Sequence, residues 1–391
     1  MSDVRTQRDH MMKRIYFVAG EASGDTHGAA LMTALREEQA AVQLLGRGGP
    51  RMRQLAGPEF TDWSEMSSVL GLWEVLKQYS YFRRQFQAVL AQIAAQQPDA
   101  VVLIDYPGFN LRLARALRAK LPRLKIIYYI SPQVWAWNRR RIPQMARYLD
   151  LMLCIFPFEA ELYNESGLRT IFVGHPMVEH LAARRTNEPR DPDLIGLFPG
   201  SRMRELRKIL PVMLRSARLI SQSRPGTRFE IAAASTTLAR AAEAMLREAH
   251  DLPTEAVQIT IGEAASAMQR AQAGIVASGT ATLEAAYFRL PFVLVYRVAW
   301  LTYRAAKLVV KVKHLGMPNV LAGREIVPEF IQERADPQAI STAVLRLMNV
   351  APARDLMVSN FDAIISTLGQ EGASMTAARA ILQEVGRNQN A

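Results

Sequence analysis

An aspartate stands where a buried strand gives way to a turn. Asp105 follows the apolar run Ala100–Ile104 and precedes a Pro-Gly pair. A carboxylate in that position can take a proton from a substrate hydroxyl held within about 3 Å. Alternatively, it bonds the backbone amides of its own turn. We expect Asp105 to act as a general base, because catalytic groups cluster on such loops.

A glycine-bounded turn follows the first apolar run. Gly20–Asp25 reads GEASGD, and its glycines allow a tight turn and close approach of a ligand. Glu21 would repel a pyrophosphate, so a sugar with hydroxyls for Glu21 and Ser23 fits this loop better. Alternatively, the segment is a bare turn in which Asp25 caps a helix that starts near Thr26.

Two later loops are suited to phosphate groups. Pro199–Arg202 (PGSR) offers backbone amides, a hydroxyl and the forked cation of arginine. Ser278–Thr282 (SGTAT) offers small hydroxylated residues and a glycine at the start of a helix. A glutamate one turn later is placed to bind ribose hydroxyls. The loops together predict a nucleotide diphosphate site, whose candidate residues are Ser201, Arg202, Ser278, Gly279, Thr280, Thr282 and Glu284.

Three further stretches leave alternatives open. Trp135 and Trp137 lie in the polar segment SPQVWAWN and pack on sugar faces or acyl chains, or seal the sheet edge. Asn319 and Gln332 are polar residues in an apolar context that line a cleft or cap secondary structure. The apolar arc of Met66–Leu76 is typical of an interfacial membrane helix and equally of a buried core helix.

The amino-acid composition limits the classes of partner that the protein can bind. The 391 residues include 48 Lys and Arg against 36 Asp and Glu, a formal charge of +12 that suits nucleic acid, acidic lipid or a phosphorylated metabolite. No long basic block is present, which disfavours nucleic acid. The single cysteine and the spacing of the histidines predict neither a disulfide within the chain nor a metal site. Without a spanning segment or secretory signal, a cytoplasmic setting is expected.

Parallel strands must hold these loops at one edge. Apolar runs alternate with amphipathic segments, which predicts a doubly wound α/β architecture whose ligands bind beyond the carboxyl ends of the strands. The predicted strands are Ile15–Ala19, Val42–Leu45, Ala100–Ile104, Lys125–Ile130, Leu151–Phe156, Thr170–Val173, Leu194–Phe198, Arg228–Ala233, Val257–Ile261, Ala273–Ala277 and Pro291–Tyr296. The polar segment Ala182–Asp193 is the predicted linker.

Seven motifs occur in order along the chain and resemble the lipid-A-disaccharide synthase family. They are VAGEASGD (Val18–Asp25), IDYPGFN (Ile104–Asn110), SPQVWAW (Ser131–Trp137), VGHP (Val173–Pro176), FPGSR (Phe198–Arg202), SGTATLE (Ser278–Glu284) and PNVLAGREIVPEFIQ (Pro318–Gln332). The resemblance implies a GT-B fold of two Rossmann-like domains with an interdomain cleft. We place the acceptor and lipid-side domain at residues 1–185, completed by a helix within 366–391 that returns to it, and the UDP-sugar-binding domain at 186–365.

The resemblance also implies a reaction. An inverting glycosyltransferase of this family, working without a metal, joins UDP-2,3-diacylglucosamine to 2,3-diacylglucosamine 1-phosphate and releases UDP and the β(1→6) disaccharide 1-phosphate of lipid A biosynthesis. Asp105 matches the family's loop aspartate and is the candidate base, with Glu21 as the fallback. Some relatives carry an aspartate where this chain has Gly108, so no second carboxylate of this loop can take part here.

Further roles follow from the same resemblance. Asn319 and Gln332 are expected to complete the nucleotide pocket. Acceptor-sugar contacts are assigned to Ser23, Asn110 and Gln133. An acyl-facing patch is assigned to Val69, Leu72, Trp73 and Leu76. The protein is expected to touch the cytoplasmic face of the inner membrane peripherally and to bind no nucleic acid; a homodimer is left open.

Two rival functions are weighed against this one. A UDP-N-acetylglucosamine 2-epimerase has a similar fold and catalyses an isomerisation, but it would not need the tryptophan loop or an acyl patch. A basic nucleic-acid-binding protein would show salt-sensitive binding to DNA and no affinity for UDP.

Overall fold

Parallel strand pairing builds both sheets of this protein. The structure is a computed structural model that describes residues 12–63, 72–249, 252, 254–299, 313–369 and 372–387, with side chains of the helix at 72–96 described from residue 82 onward. The chain divides into two compact units. Unit 1 comprises Met1–Pro176 and Leu368–Ala391, and unit 2 comprises Met177–Thr367.

Unit 1 contains a seven-stranded sheet. Its strands are β1 Lys13–Ala19, β2 Val42–Gly48, β3 Thr61–Asp62, β4 Ala100–Ile104, β5 Lys125–Tyr129, β6 Leu151–Cys154 and β7 Thr170–Phe172. Its helices are α1 Ala22–Glu38, α2 Pro50–Ala56, α3 Leu72–Gln96, α4 Pro107–Lys120, α5 Val134–Trp137, α6 Ile142–Met145, α7 Pro157–Glu165 and, after unit 2 in the chain, α16 Ala373–Gly386. The strand order is β3-β2-β1-β4-β5-β6-β7, and each pair is parallel.

Both faces of this sheet are covered, which explains why its strands are apolar without alternation. Ile15 and Phe17 of β1 pack in one core cluster together with residues of α1 and α16. Tyr16 and Val18 point the other way, into a cluster with residues of α3 and α4.

The C-terminal helix α16 packs on unit 1, as the resemblance implied. Glu384 is buried at 4% exposure and pairs with Lys125 at 3.0 Å and with Arg169. A buried carboxylate needs such partners, so these ion pairs fix how α16 docks beside β5.

Unit 2 contains a six-stranded sheet. Its strands are β8 Asp191–Phe198, β9 Arg228–Ala233, β10 Val257–Ile261, β11 Ala271–Ala277, β12 Phe292–Tyr296 and β13 Glu329–Ile331. Its helices are α8 Pro176–Ala182, which begins at the last residue of unit 1, α9 Met203–Ser223, α10 Thr236–Glu248, α11 Ala264–Arg270, α12 Thr280–Tyr287, α13 Met317–Ala322, α14 Pro337–Asn349 and α15 Ala351–Ser366. The order is β10-β9-β8-β11-β12-β13, again parallel throughout, around one apolar core.

All eleven predicted strands are present in the described residues, and two short edge strands were missed. Strands β3 and β13 have two and three residues, too short for a periodic pattern. The predicted linker is wrong at its end, because β8 begins at Asp191. Its preceding residue, Arg190, is anchored to unit 2 by donating to the carbonyls of Met268, Ala271 and Phe288.

The alternative in which Asp25 caps its own helix is wrong. Helix α1 begins at Ala22, so Asp25 lies inside its first turns. The buried carboxylate accepts bonds from the backbone N–H groups of Gly49, Arg51 and Met52 at 3.0–3.1 Å. It therefore caps the N-terminus of a different helix, α2, and ties α2 to α1.

Candidate functional site

Each sheet has one point where its strand order reverses. The reversal lies between β1 and β4 in unit 1 and between β8 and β11 in unit 2. At such a switch point adjacent loops depart to opposite sides, which leaves room for a ligand beyond the carboxyl ends of the strands. The loops there start at Gly20 and Asp105 in unit 1 and at Pro199 and Ser278 in unit 2. Four loops chosen from sequence thus occupy the two switch points.

The backbone of Asp105 is held in an uncommon conformation. Asp105 has φ +45° and Tyr106 has φ +50°, so two consecutive non-glycine residues are left-handed. The Asp105 N–H donates to the carbonyl of Tyr129 at 3.0 Å. Its carbonyl accepts from the Tyr128 hydroxyl at 2.6 Å and from Asn110 Nδ2 at 2.8 Å. Side chains thus secure the turn from which the aspartate projects.

The pKa of Asp105 is raised above its usual value. Burial is the main cause, and the negative charge of Glu21 adds to it, while the Tyr106 backbone N–H acts in the opposite direction. A carboxylate whose pKa is raised towards the operating pH is a better proton acceptor, so this pair suits general base chemistry.

Glycine at position 20 makes the close approach of the two loops possible. A Cβ atom there would lie 2.3 Å from Cδ1 of the Tyr106 ring. The Tyr106 ring also stacks with Phe109 at 5.8 Å between centroids. Trp63, which sequence reasoning missed, donates from Nε1 to the carbonyl of Ala19 at 2.6 Å and covers the end of β1.

The three residues assigned to the acceptor sugar differ in solvent exposure. Ser23 is exposed in the first turn of α1, and Gln133 is exposed just before α5. Asn110 is fully buried, and its Nδ2 bonds backbone carbonyls. The expectation that Asn110 contacts the sugar is therefore wrong, because its side chain cannot reach a ligand from the core.

Trp135 is buried and packs against the protein itself, which favours the interpretation that it seals the sheet over the one that it contacts a ligand. Trp135 packs edge-on against Phe158 and donates from Nε1 to Glu159 at 2.8 Å. Burial raises the pKa of Glu159 to about 7, although the hydrogen bonds that its carboxylate accepts act to lower that pKa. Trp137 is different: it is 37% exposed, and the Arg141 guanidinium lies 4.8 Å over its ring.

A half-buried histidine was not assigned any role from sequence. His175 lies just after β7, in the motif VGHP, with its ring 5.1 Å from that of Phe156. Burial, with the positive charge of His27, lowers its pKa to about 4. His175 is therefore neutral near pH 7.

In unit 2, the loop after β8 presents a cation at a helix N-terminus. Gly200 has φ +100°, a conformation that favours glycine, and a Cβ there would lie 2.5 Å from Oε2 of Glu205. Arg202 occupies the N-cap position of the 21-residue helix α9 with an extended backbone. Its side chain is 78% exposed, with NH1 3.4 Å from Glu205 Oε1. Most of the Arg202 side chain is accessible to an anion at the positive end of the helix dipole.

The neighbouring loop after β11 exposes backbone amides. Gly279 has φ +145°, and Gly279 and Thr280 are exposed at the start of α12, next to half-buried Ser278. Thr282 has no exposed surface, and its hydroxyl donates to the Gly279 carbonyl at 2.8 Å. The expectation that Thr282 contacts the nucleotide is wrong; it braces the loop instead.

The acidic residue of this helix lies in a partly buried place. Burial raises the pKa of Glu284, and the positive charge of Arg184 offsets part of that rise.

Tyr296, the last residue of β12, was not singled out from the sequence, although ligands bind at strand ends in this kind of sheet. Burial and the charge of Glu205 raise the pKa of Tyr296, while the charge of Arg202 lowers it.

Asn319 and Gln332 use their amides inside the protein. Asn319 is fully buried, donates to Val327 O and Glu329 Oε1, and accepts from the N–H groups of Ile326 and Val327, all at 2.8–2.9 Å. Gln332 accepts from the Val298 N–H at 2.9 Å and donates to its carbonyl at 3.3 Å. Direct contact of Asn319 with a nucleotide is therefore wrong, since its bonding capacity is used. Gln332 holds the segment that follows β12.

The chain matches the family model described as LpxB, lipid-A-disaccharide synthetase, over residues 15–378. A lipid-A-disaccharide synthase of Trichlorobacter lovleyi is 38% identical over 381 residues, covering 95% of this chain and 98% of that protein. The chain belongs to the LpxB family of lipid-A-disaccharide synthetases. The family resemblance seen in the sequence is confirmed, and with it a glycosyltransferase of lipid A disaccharide synthesis.

Solved structures agree on the fold of this LpxB family member. The UDP-GlcNAc 2-epimerase of Neisseria meningitidis, bound to UDP-GlcNAc, has TM-score 0.63 and 12% identity and covers 95% of this chain and 100% of that one. The calicheamicin glycosyltransferase CalG4 has TM-score 0.57 and 16% identity, covering 96% and 99%. The expected GT-B class is confirmed. An isomerase and a transferase share it, so these likenesses show the fold alone, and the family match decides against the epimerase.

For this LpxB family member, the sequence also predicted an acyl-facing patch, no membrane-spanning segment and no metal site. Val69 lies outside the described residues, as do the side chains of Leu72, Trp73 and Leu76. Among the described residues, no helix is both long and apolar enough to cross a bilayer. The same part of the chain holds no group of three His, Cys, Asp or Glu side chains arranged for a metal ion.

Proposed function

We propose that this enzyme transfers the diacylglucosamine group of UDP-2,3-diacylglucosamine to the 6-hydroxyl of 2,3-diacylglucosamine 1-phosphate. The observation that carries the proposal is the contrast between the switch points. Unit 1 presents the paired carboxylates of Asp105 and Glu21, and unit 2 presents Arg202 and the amides of Gly279 and Thr280. A proton acceptor and a diphosphate cradle are the two parts that such a transfer needs.

Asp105 acts as the general base. Its carboxylate takes the proton of the acceptor's 6-hydroxyl while that oxygen attacks the anomeric carbon of the donor sugar. The bond from the anomeric carbon to the UDP oxygen breaks, and its electron pair leaves with UDP. Attack from the face opposite the leaving group inverts the anomeric centre and gives the β(1→6) linkage. Asp105 is preferred over Glu21 because burial and the neighbouring charge raise its pKa.

Unit 2 holds the leaving UDP. Arg202 bonds the diphosphate with its forked guanidinium, and Ser201 and Ser278 add hydroxyl donors. Exposed amides of Gly279 and Thr280 add further donors, in the field of the α12 dipole. Glu284 accepts a hydrogen bond from a ribose hydroxyl. These groups neutralise the diphosphate charge as it develops, so the transfer is proposed to proceed without a metal ion.

A transfer assay tests this proposal. The purified protein is incubated with UDP-2,3-diacylglucosamine and 2,3-diacylglucosamine 1-phosphate, with and without a chelator. We expect equal amounts of disaccharide 1-phosphate and UDP, at the same rate in both samples. Loss of activity with the chelator contradicts the metal-free mechanism alone. Absence of disaccharide, or conversion of UDP-GlcNAc alone to its 2-epimer, contradicts the proposed function.

The enzyme is further proposed to contact the cytoplasmic face of the inner membrane, from which its acylated substrates come. Support comes from a basic and aromatic surface on unit 1. Trp137 is 37% exposed beneath Arg141, and Arg139 and Arg140 are exposed beside them. None of the three arginines has an ion pair with a described residue. Such a surface suits anionic lipid headgroups, at about 1 kcal/mol per charge.

Charge reversal of this surface is expected to weaken membrane binding. The variant Arg139→Glu, Arg140→Glu and Arg141→Glu is compared in sedimentation with vesicles containing anionic lipid. The matched control reverses Arg204, Arg207 and Lys208, which are exposed on α9 of unit 2. We expect only the first variant to lose salt-sensitive binding. Equal loss of binding in both variants, or in neither, contradicts the proposal that this surface binds the membrane. Replacement of Val69, Leu72 and Leu76 by serine tests the apolar patch separately, in the same vesicle assay.

A further inference from the structure

We propose that Asn110 is a positioning residue, which holds the Asp105 carboxylate where the acceptor hydroxyl must lie. The proposal rests on the function of Asp105 as base. It concerns a residue that lies entirely inside unit 1 and contacts no substrate. The contacts that carry it are those between the Asn110 amide and the carboxyl ends of β1 and β4.

The conformation of the Asp105 turn needs external support. Asp105 and Tyr106 are both left-handed, with φ +45° and +50°, and neither is glycine. Left-handed non-glycine residues persist only where the surroundings over-determine them, and they concentrate at functional sites. A bracing group must therefore act directly on this turn.

Asn110 supplies that bracing. Its Nδ2 lies 2.8 Å from the carbonyl oxygen of Asp105, 3.2 Å from that of Ile104 and 3.4 Å from that of Val18. Its backbone N–H closes the same turn by donating to the carbonyl of Tyr106 at 3.0 Å. One amide thus joins the end of β1, the end of β4 and the catalytic turn.

The chemistry of the side chain fits this role and no ligand-binding one. An asparagine amide carries two N–H donors, whereas aspartate or an apolar residue of similar size carries none. Asn110 is fully buried, and its Oδ1 has no hydrogen-bond partner among the described residues. A buried polar atom without a partner is costly, so the contribution of Asn110 to this turn comes from its N–H donors.

Tyr128 completes the bracing from the neighbouring strand. Its hydroxyl donates to the Asp105 carbonyl oxygen at 2.6 Å, the same oxygen that accepts from Asn110. Two donors from β5 and α4 converge on one carbonyl and fix the direction in which the Asp105 side chain leaves the sheet. Loss of either donor should loosen the Asp105 carboxylate. Loss of both donors should lower kcat little more than the loss of one does.

The test compares Asn110→Ala with Asn164→Ala in the full-length enzyme. Asn164 is a matched control, because it also braces unit 1 with its amide, bonding the N–H and carbonyl of Thr170 at 2.9 Å, but it does not contact the Asp105 turn. For each variant we measure Tm, the dissociation constant of UDP, kcat, and the pH dependence of kcat/KM.

We expect both variants to lower Tm and to keep UDP affinity within about twofold. Only Asn110→Ala should lower kcat, by about 10²-fold, as a misplacement of about 1 Å costs. Only this variant should also move the acid limb of the pH profile to lower pH, because a loosened Asp105 carboxylate is better hydrated.

Other results overturn the inference. Unchanged kcat and pH profile in Asn110→Ala, or an equal loss of kcat in both variants, leaves Asn110 with a purely structural role. If Asn110→Ala does not fold, Tyr128→Phe is judged by the same criteria, and wild-type values there overturn it as well. A wild-type enzyme that makes no disaccharide refutes the proposed function instead, and the inference falls with it.

Discussion

The two switch points share a topology but differ in where they place left-handed backbone. Unit 1 places it on Asp105 and Tyr106, and unit 2 places it on Gly200 and Gly279. A reacting group needs a side chain, so unit 1 requires donors from neighbouring residues to hold its turn. A phosphate cradle needs accessible amides, which glycine supplies without steric cost. This difference fits the proposed division of roles, in which unit 1 supplies the base and unit 2 binds the diphosphate.

The two points differ in charge as well. Unit 1 concentrates two carboxylates, and burial together with mutual repulsion raises the pKa of Asp105. Unit 2 exposes Arg202 at a helix N-terminus, with a side chain that is 78% exposed. Proton transfer benefits from a desolvated carboxylate, whereas capture of a diphosphate needs a cation that can move to meet it.

The largest effect is expected at Asp105. Asp105→Asn removes the base and should lower kcat by about 10²- to 10⁴-fold. UDP affinity should stay within about twofold, because the proposed diphosphate site lies in unit 2. Turnover with both substrates and UDP titration by calorimetry measure the two quantities. Normal turnover would remove Asp105 as the base, and a parallel loss of UDP affinity would break the division of roles.

A smaller effect is expected at Arg202. Arg202→Ala should weaken UDP binding by about tenfold or more, as loss of a charged hydrogen bond implies. The control is Arg204→Ala, an exposed arginine two residues further along the same helix. It should leave affinity unchanged. Equal UDP affinity in both variants would show that the diphosphate is held elsewhere.

The smallest effect is a shift in pH dependence at Glu21. Glu21→Gln removes a negative charge that raises the pKa of Asp105, so that pKa should fall. A base works above its pKa, and the acid limb of kcat/KM should therefore move to lower pH while the plateau is kept. Loss of the plateau would make Glu21 the base. An unmoved limb would mean that the two carboxylates are not coupled.

The same shift has a consequence for stability. Because the pKa of Asp105 is raised on folding, the folded state holds this proton more tightly than the unfolded chain does. The free energy of unfolding therefore falls as pH rises from the usual carboxyl pKa through the raised one. Glu21→Gln should reduce that fall, which denaturant titrations at several pH values measure.

Sequence reasoning succeeded where local patterns carry the information. Apolar runs such as Ala100–Ile104 located the strands, because both faces of each sheet are buried. Glycines and acidic residues at strand ends located the loops of both switch points. It did not reveal that Asp25 caps a helix 25 residues further along, since a cap acting across the fold leaves no local signal.

Side-chain roles were harder to predict than side-chain positions. Asn110, Thr282 and Asn319 were all expected at ligands, and each is bonded to the protein's own backbone. The residue type is the same for either use, since an amide or hydroxyl serves a ligand and a carbonyl alike. Only its direction and burial separate the two.

The sequence by itself determined the two parallel α/β units, the family and the loops at the two switch points, because hydrophobic patterning and motif spacing are local properties. Tertiary structure decided which polar residues are exposed and which are buried against the backbone, and it placed the charge of Glu21 where it helps to raise the pKa of Asp105. Those outcomes depend on burial and on distances between strands far apart in the chain, and neither exists until the sheet has formed.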